Sequence, residues 1–126
     1  MRPFDTSTGI IGGVSVLRVS GDLDAADASI LSLALISATA STGRVVVDLS
    51  ECDFIDSAGI AAIVEAWRGP DGPESRGRLV LAGASDQVDR IIRITGLDES
   101  IAIFDGIDEA LAALAPDEPV AELDPG

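Results

Sequence analysis

Apolar residues recur in this chain at two spacings. Short runs rich in β-branched residues alternate with longer stretches of Ala, Leu and Ile at helical spacing. Residues 10–20 predict one or two strands, interrupted by Gly12-Gly13, with Val14, Val16 and Val19 supplying the β-branched content. Gly21-Asp22-Leu23-Asp24 predicts a turn, and Asp24 is a good N-cap for a helix over 25–40 that Ser41-Thr42-Gly43 stops. Residues 44–49 form a continuous apolar run of strand length, expected to be buried on both faces. Residues 50–56 are expected to carry the chain out of the sheet. A second helix is predicted over 58–68, then a Gly- and Pro-rich loop over 69–77. Residues 78–82 predict a strand. Ser85 or Asp86 then caps a helix ending near Thr95, with Gly96 as its stop. A short strand over 101–104 and a helix over 107–115 follow. Residues 1–9 are polar and expected to be flexible. Residues 116–126, with three Pro and four acids, predict a disordered tail. Strands come first and then alternate with helices. That order predicts one α/β domain over 10–115, with a sheet largely parallel in its later part.

The second helix has two kinds of face. Ile60, Ile63, Val64 and Trp67 make the stripe that buries against a sheet. Ala58, Ala61, Ala62 and Glu65 make a smooth, nearly uncharged face. It either packs under another helix or receives a partner. Ser57 opens this helix. Capping is the commoner role for a serine there, but Asp56 can cap instead, which would free the Ser57 hydroxyl.

Composition narrows the chemistry. The 126 residues suffice for one core, and a monomer fits the size. The net charge of −14 argues against binding nucleic acid or anionic membranes and favours a partner with a basic face. There is no His, no Tyr and no Lys, so most acid–base and amine chemistry is missing. A Ser-His-Asp triad, a P-loop and a zinc site are excluded or improbable, so no metal or cofactor is expected. Carboxylates such as Asp24, Asp48 and Asp56 remain, but Asp48 reads more simply as a strand-end residue satisfied by backbone N–H groups. The single Cys52 reads as a small apolar filler. The N-terminus opens no signal peptide and no uninterrupted apolar run spans a membrane, which predicts a cytoplasmic protein.

Several landmarks together resemble the STAS-domain family, within it the anti-sigma factor antagonists. Gly21-Asp22-Leu23-Asp24 is similar to the family's Gly-x-Leu-Asp, and Val45-Val46-Val47-Asp48-Leu49-Ser50 to its central strand. Phe54-Ile55-Asp56-Ser57-Ala58-Gly59-Ile60 resembles its signature, with Ala58 where Ser is common. Thr95-Gly96-Leu97 and Glu109-Ala110-Leu111 are similar to its later landmarks. The resemblance implies a mixed sheet of four or five strands with about four helices largely on one face. It implies a non-enzymatic switch in transcription regulation and stress response. The unphosphorylated antagonist binds an anti-sigma factor that is also an ATP-dependent serine kinase, and releases the sigma factor. Phosphorylation ends the binding and a serine phosphatase restores it. Carried onto this chain, Ser57 is the phosphoacceptor. Asp24, Asp56, Ser57, Ala58, Ala61, Ala62 and Glu65 form the partner surface. The alternative in the same fold is a scaffold, or a soluble subunit of a signalling or transport complex, without sigma-factor control.

Overall fold

The structure is a computed structural model, and it describes residues 3–69 and 78–115. Five strands form one sheet in chain order: β1 (Asp5–Ile11), β2 (Val14–Leu23), β3 (Val45–Ile55), β4 (Leu79–Ala82) and β5 (Ile103–Phe104). β1 and β2 pair antiparallel, and every later pair is parallel. The helices are α1 (Ala28–Thr42), α2 (Ser57–Arg68), α3 (Asp86–Ile94) and α4 (Ile107–Leu114). This is the mixed α/β sheet that the sequence predicts. The loop over 70–77 and the tail over 116–126 lie outside the described residues.

Alternation along the strands divides the core in two. Leu17, Val19, Val45, Val47, Leu49, Leu79 and Leu81 face α1, α2 and α3. Val14, Val46, Val80 and Ala82 face the other way, toward Ala110 and Leu114 of α4. Burial on both sides explains why residues 44–49 carry no polar alternation before Asp48. Ser15, fully buried, fastens α1 to the sheet. Its hydroxyl donates to the Ala38 carbonyl at 2.9 Å and shares a hydrogen bond with Thr42 Oγ1.

Three expectations need correction. The first strand begins at Asp5, so most of the segment expected to be flexible is paired to β2. Both faces of β1 are largely exposed, so its ladder to β2 holds it, and it shows no burial pattern to read. Gly12 and Gly13, with φ of 57° and 81°, make the two-residue hairpin that the antiparallel twist favours. Second, Gly21-Asp22-Leu23 is not a turn but the end of β2, with register shifts beside it. Third, residues 50–55 do not leave the sheet; they continue β3 against β2.

Ala25–Thr42 is long and apolar enough to cross a membrane by length and composition, with a mean hydropathy of 1.3 over 18 residues. It nonetheless puts Leu31, Leu35 and Ala38 into the core.

Asp48 is 1% exposed. Its Oδ1 accepts the Ser50 N–H at 3.0 Å and its Oδ2 accepts Arg18 Nε at 2.9 Å. Burial pushes the carboxyl's pKa up. The hydrogen bonds from Ser50 and the Arg18 guanidinium outweigh that and hold it below the ordinary value. A carboxylate with a depressed folded pKa stabilises the fold above its unfolded pKa, and that stability is lost as pH falls through the folded one. Asp48→Asn keeps the shape and an acceptor for Ser50. We expect it to cost about 1 kcal/mol at neutral pH, a modest figure because Arg18 is 55% exposed and screened by solvent. Urea unfolding of both proteins below about pH 4 should converge. Equal differences at neutral and acid pH would remove Asp48 from the acid response.

Candidate functional site

The site lies at the carboxyl ends of β2 and β3, where three short segments meet. Asp24 follows β2 and caps a single 3-10 turn, Ala25–Asp27. Its Oδ1 accepts the Ala26 N–H at 3.0 Å, while Asp27 Oδ2 accepts the Asp24 N–H, closing a reciprocal capping box. Asp56 follows β3 in extended conformation and is the N-cap of α2. Its N–H donates to the Leu23 carbonyl at 3.2 Å, which ties the start of α2 to the Asp24 loop.

The capping question is settled by distances. Asp56 Oδ1 accepts the N–H groups of Ala58, at 3.0 Å, and of Gly59, at 3.2 Å. The Ile60 N–H is taken by the Asp56 carbonyl. Ser57 is therefore the first helical residue and not the cap. It is exposed, and its hydroxyl makes no hydrogen bond among the described residues.

Gly59 sets how closely α2 approaches the sheet. It is buried beneath the helix start, and a Cβ there would collide with the Leu23 side chain and lie 2.9 Å from Ile55 Cγ1. Leu23 and Ile55 are themselves fully buried. A glycine at this turn lets Ser57 sit directly over the strand ends.

The other predicted residues divide. Ala58 is half-buried, and Ala61 and Glu65 are exposed on the same side as Ser57. Ala62 is not on that face: it is 6% exposed and belongs to the core under α1. Ala62 lies about 40° round the helix from Ala58, at the edge of the face turned toward α1, which covers it. The core stripe holds for Ile60 and Ile63, while Val64 and Trp67 are half-buried against it. Phe54 received no role of its own in the sequence, yet it is 38% exposed at the same end of β3. An exposed ring between Asp53 and Asp56 in so aromatic-poor a chain was the available signal. Cys52 is fully buried, its thiol against the Phe54 carbonyl at 3.4 Å. Asp48 lies lower on β3, engaged by Ser50 and Arg18, and takes no part in this end of the sheet. No group of three or more metal-ligating side chains is assembled among the described residues.

The site is thus an exposed hydroxyl beside two carboxylates that are busy as helix caps. The STAS domain family model matches residues 6–110. The chain belongs to the STAS domain family. Over 86 residues it is 36% identical to the anti-sigma-B factor antagonist of Listeria monocytogenes, covering 68% of this chain and 74% of the relative. The crystal structure of an anti-sigma factor antagonist from Mycobacterium paratuberculosis matches with a TM-score of 0.80 at 29% identity, over 90% of this chain and 96% of that one. A sulfate transporter family protein from Wolinella succinogenes shares the fold, with a TM-score of 0.68 at 23% identity over 84% and 88% of the two chains. The fold is thus shared by an anti-sigma factor antagonist and a sulfate transporter family protein, and function must be argued from the site.

Gly59→Ala separates packing from helix propensity at this turn. Alanine is the better helix former by about 1 kcal/mol. Overpacking against Leu23 and Ile55 costs about 1–3 kcal/mol. We expect a net loss, read as a lower urea midpoint with an unchanged slope. A stabilised variant would show that α2 can lift off the sheet freely.

Proposed function

We propose that this protein is an anti-sigma factor antagonist switched by phosphorylation of Ser57. In this reading the unphosphorylated form binds an anti-sigma factor that is also an ATP-dependent serine kinase, and so releases the sigma factor. The phosphorylated form does not bind, and a serine phosphatase resets it. The protein is acted upon and carries out no catalysis, and a cytoplasmic location goes with this role.

One observation carries the reading: Asp56 has taken the capping role, so the Ser57 hydroxyl is exposed and uncommitted. A kinase can reach it without breaking a structural hydrogen bond. The names of the relatives support the same reading. The proposed partner surface is Asp24, Asp56, Ser57, Ala58, Ala61 and Glu65, with Phe54 at its edge. Ala62 drops out as a contact and supports the face from below. Such a surface, with carboxylates around a flat alanine patch, suits a partner with a basic rim.

A phosphate adds about −1.5 to −2 charges at neutral pH. Next to Asp56 and Asp24 that charge works against a surface fitted to a neutral hydroxyl. The second reading, a scaffold or a soluble subunit of a signalling or transport complex, rests on the fold alone, which a sulfate transporter family protein shares.

Two measurements test the proposal. Incubation with the anti-sigma factor kinases of its own cell and ATP should place phosphate on Ser57, and Ser57→Ala should not be accepted. Phosphate at another residue, with Ser57→Ala still a substrate, would sink the assignment. By calorimetry, Ser57→Ala should bind the kinase like the wild type, while Ser57→Asp binds at least about tenfold more weakly. Equal affinities would detach phosphorylation from binding. Recovery of transporter components and no kinase from the native cell would favour the second reading.

A further inference from the structure

The outward face of α1 is apolar, uncharged and symmetric in sequence. Ile30, Leu33 and Ile36 are 52%, 68% and 63% exposed, three of the seven exposed large apolar side chains among the described residues. The helix over Ala28–Thr42 contains no charged residue, although a quarter of the chain is charged. Each of the other three helices carries charges of its own. The three side chains expose on the order of 300 Å² per copy, the low end of the largest apolar patch that a monomer ordinarily carries, a patch that is often functional.

Residues 28–38 read Ala-Ser-Ile-Leu-Ser-Leu-Ala-Leu-Ile-Ser-Ala, the same in both directions except for Ser32 and Ala34 beside the central Leu33. Burial follows the same symmetry: positions 29, 30, 36 and 37 are exposed, 32 and 34 are half-buried, and Leu31 and Leu35 enter the core. The core accounts for the two inward leucines. It does not account for the matched outward residues. An antiparallel pair of such helices, related by a two-fold axis at Leu33, places Ile30 against Ile36 of the other copy and Ser29 against Ser37. In a two-fold interface each contact recurs reciprocally, so a face must complement itself, and this one does.

We infer that α1 is a homodimer interface, with a second copy of this chain packed antiparallel on it about Leu33. Charge permits this occupant and favours this direction. Two molecules of net charge −14 repel, and an uncharged helix lets them meet with no charged side chains of α1 opposed. The antiparallel direction sets the two Asp27 residues about 18 Å apart along the helices, beyond the screening length of about 8 Å at physiological salt. Glu65 and Arg68, of opposite sign, rim the groove of about 700 Å³ between α1 and α2 that Ile36 also lines. In place of the monomer suggested by chain length the inference implies a weak dimer, since the patch is small for a stable one. The inference does not rest on the phosphorylation reading, because Ser57 is not part of this face.

Sedimentation equilibrium of the full chain, from about 10 µM to about 1 mM, tests it, with a dissociation constant on the order of 100 µM expected. Added salt should tighten the dimer several-fold by screening the net charge. Leu33→Glu should weaken it at least about tenfold while keeping the circular dichroism of the wild type. Register is read by cross-linking, the only native thiol, Cys52, being buried. Leu33→Cys should oxidise to a disulfide dimer, and a mixture of Ile30→Cys and Ile36→Cys should join across the two variants in preference to either with itself. A 12.9 kDa monomer throughout, including at high salt, overturns the inference. So does preferential self-joining of Ile30→Cys, which would mean parallel helices, or binding of the monomer to neutral lipid vesicles through this face.

Discussion

The carboxylate of Asp56 holds two backbone N–H groups, and the geometry of the site follows from that. A helix begins with N–H donors that its own turns cannot satisfy. At α2 the side chain of Asp56 takes those of Ala58 and Gly59. The main chain of the same residue reaches back to Leu23. One residue therefore ends β3, starts α2 and fastens both to the loop that carries Asp24. Gly59 completes the arrangement by letting the first turn lie against Leu23 and Ile55. Ser57 is the residue that this frame presents and does not use.

The sequence made some of this legible and hid the rest, for definite physical reasons. Elements buried by their own pattern were readable. Val45, Val46 and Val47 are apolar on both faces because both faces are covered. α1 ends where Gly43 supplies a left-handed cap. Elements held by pairing alone were not readable. β1 is exposed on both sides, so its residues carry no alternation. The Gly-Asp at 21–22 has the composition of a turn, but it lies in β2 beside register shifts that bend the strand without ending it. Residues 50–55 look like a loop because three of them are polar or acidic and exposed, yet the ladder to β2 continues through them to Ile55. At the site, the sequence placed Ser57 and Asp56 at a helix start but left open which of them caps it. That choice turns on side-chain distances. Ala62 shows the limit of a helical-wheel argument: with α1 packed over it, a position expected on the open face is core.

Charge is distributed so that the two outward surfaces of α1 and α2 differ in kind. The last residues of β2 and β3 and the segments that follow them carry Asp22, Asp24, Asp27, Glu51, Asp53 and Asp56. α1 carries none. A change of charge at the first surface is therefore a large local perturbation among like charges. At the second it is remote, and packing decides. The −14 of the whole chain sets a background against which only an uncharged face lets like molecules approach.

The same frame bears on what a phosphate at Ser57 would do. A free helix N-terminus attracts an anion by about 0.3–1 kcal/mol through the aligned peptide dipoles. Here the Ala58 and Gly59 N–H groups already have Asp56, and the Ile60 N–H has the Asp56 carbonyl. A phosphate would gain part of the dipole's attraction and little direct hydrogen bonding. It would meet the charge of Asp56 within the same turn. These effects oppose one another and are each small beside the core beneath α2, where Ile60, Ile63 and Gly59 are buried. The fold is accordingly insulated from the modification. A partner surface has no such insulation. In the proposed reading it would have to seat a dianion where it fits a hydroxyl, and at a desolvated contact that costs far more than it does in water. The capping aspartate thus separates the two consequences: it spends the helix terminus on structure, and leaves the charge that a phosphate at Ser57 would bring to be felt outside.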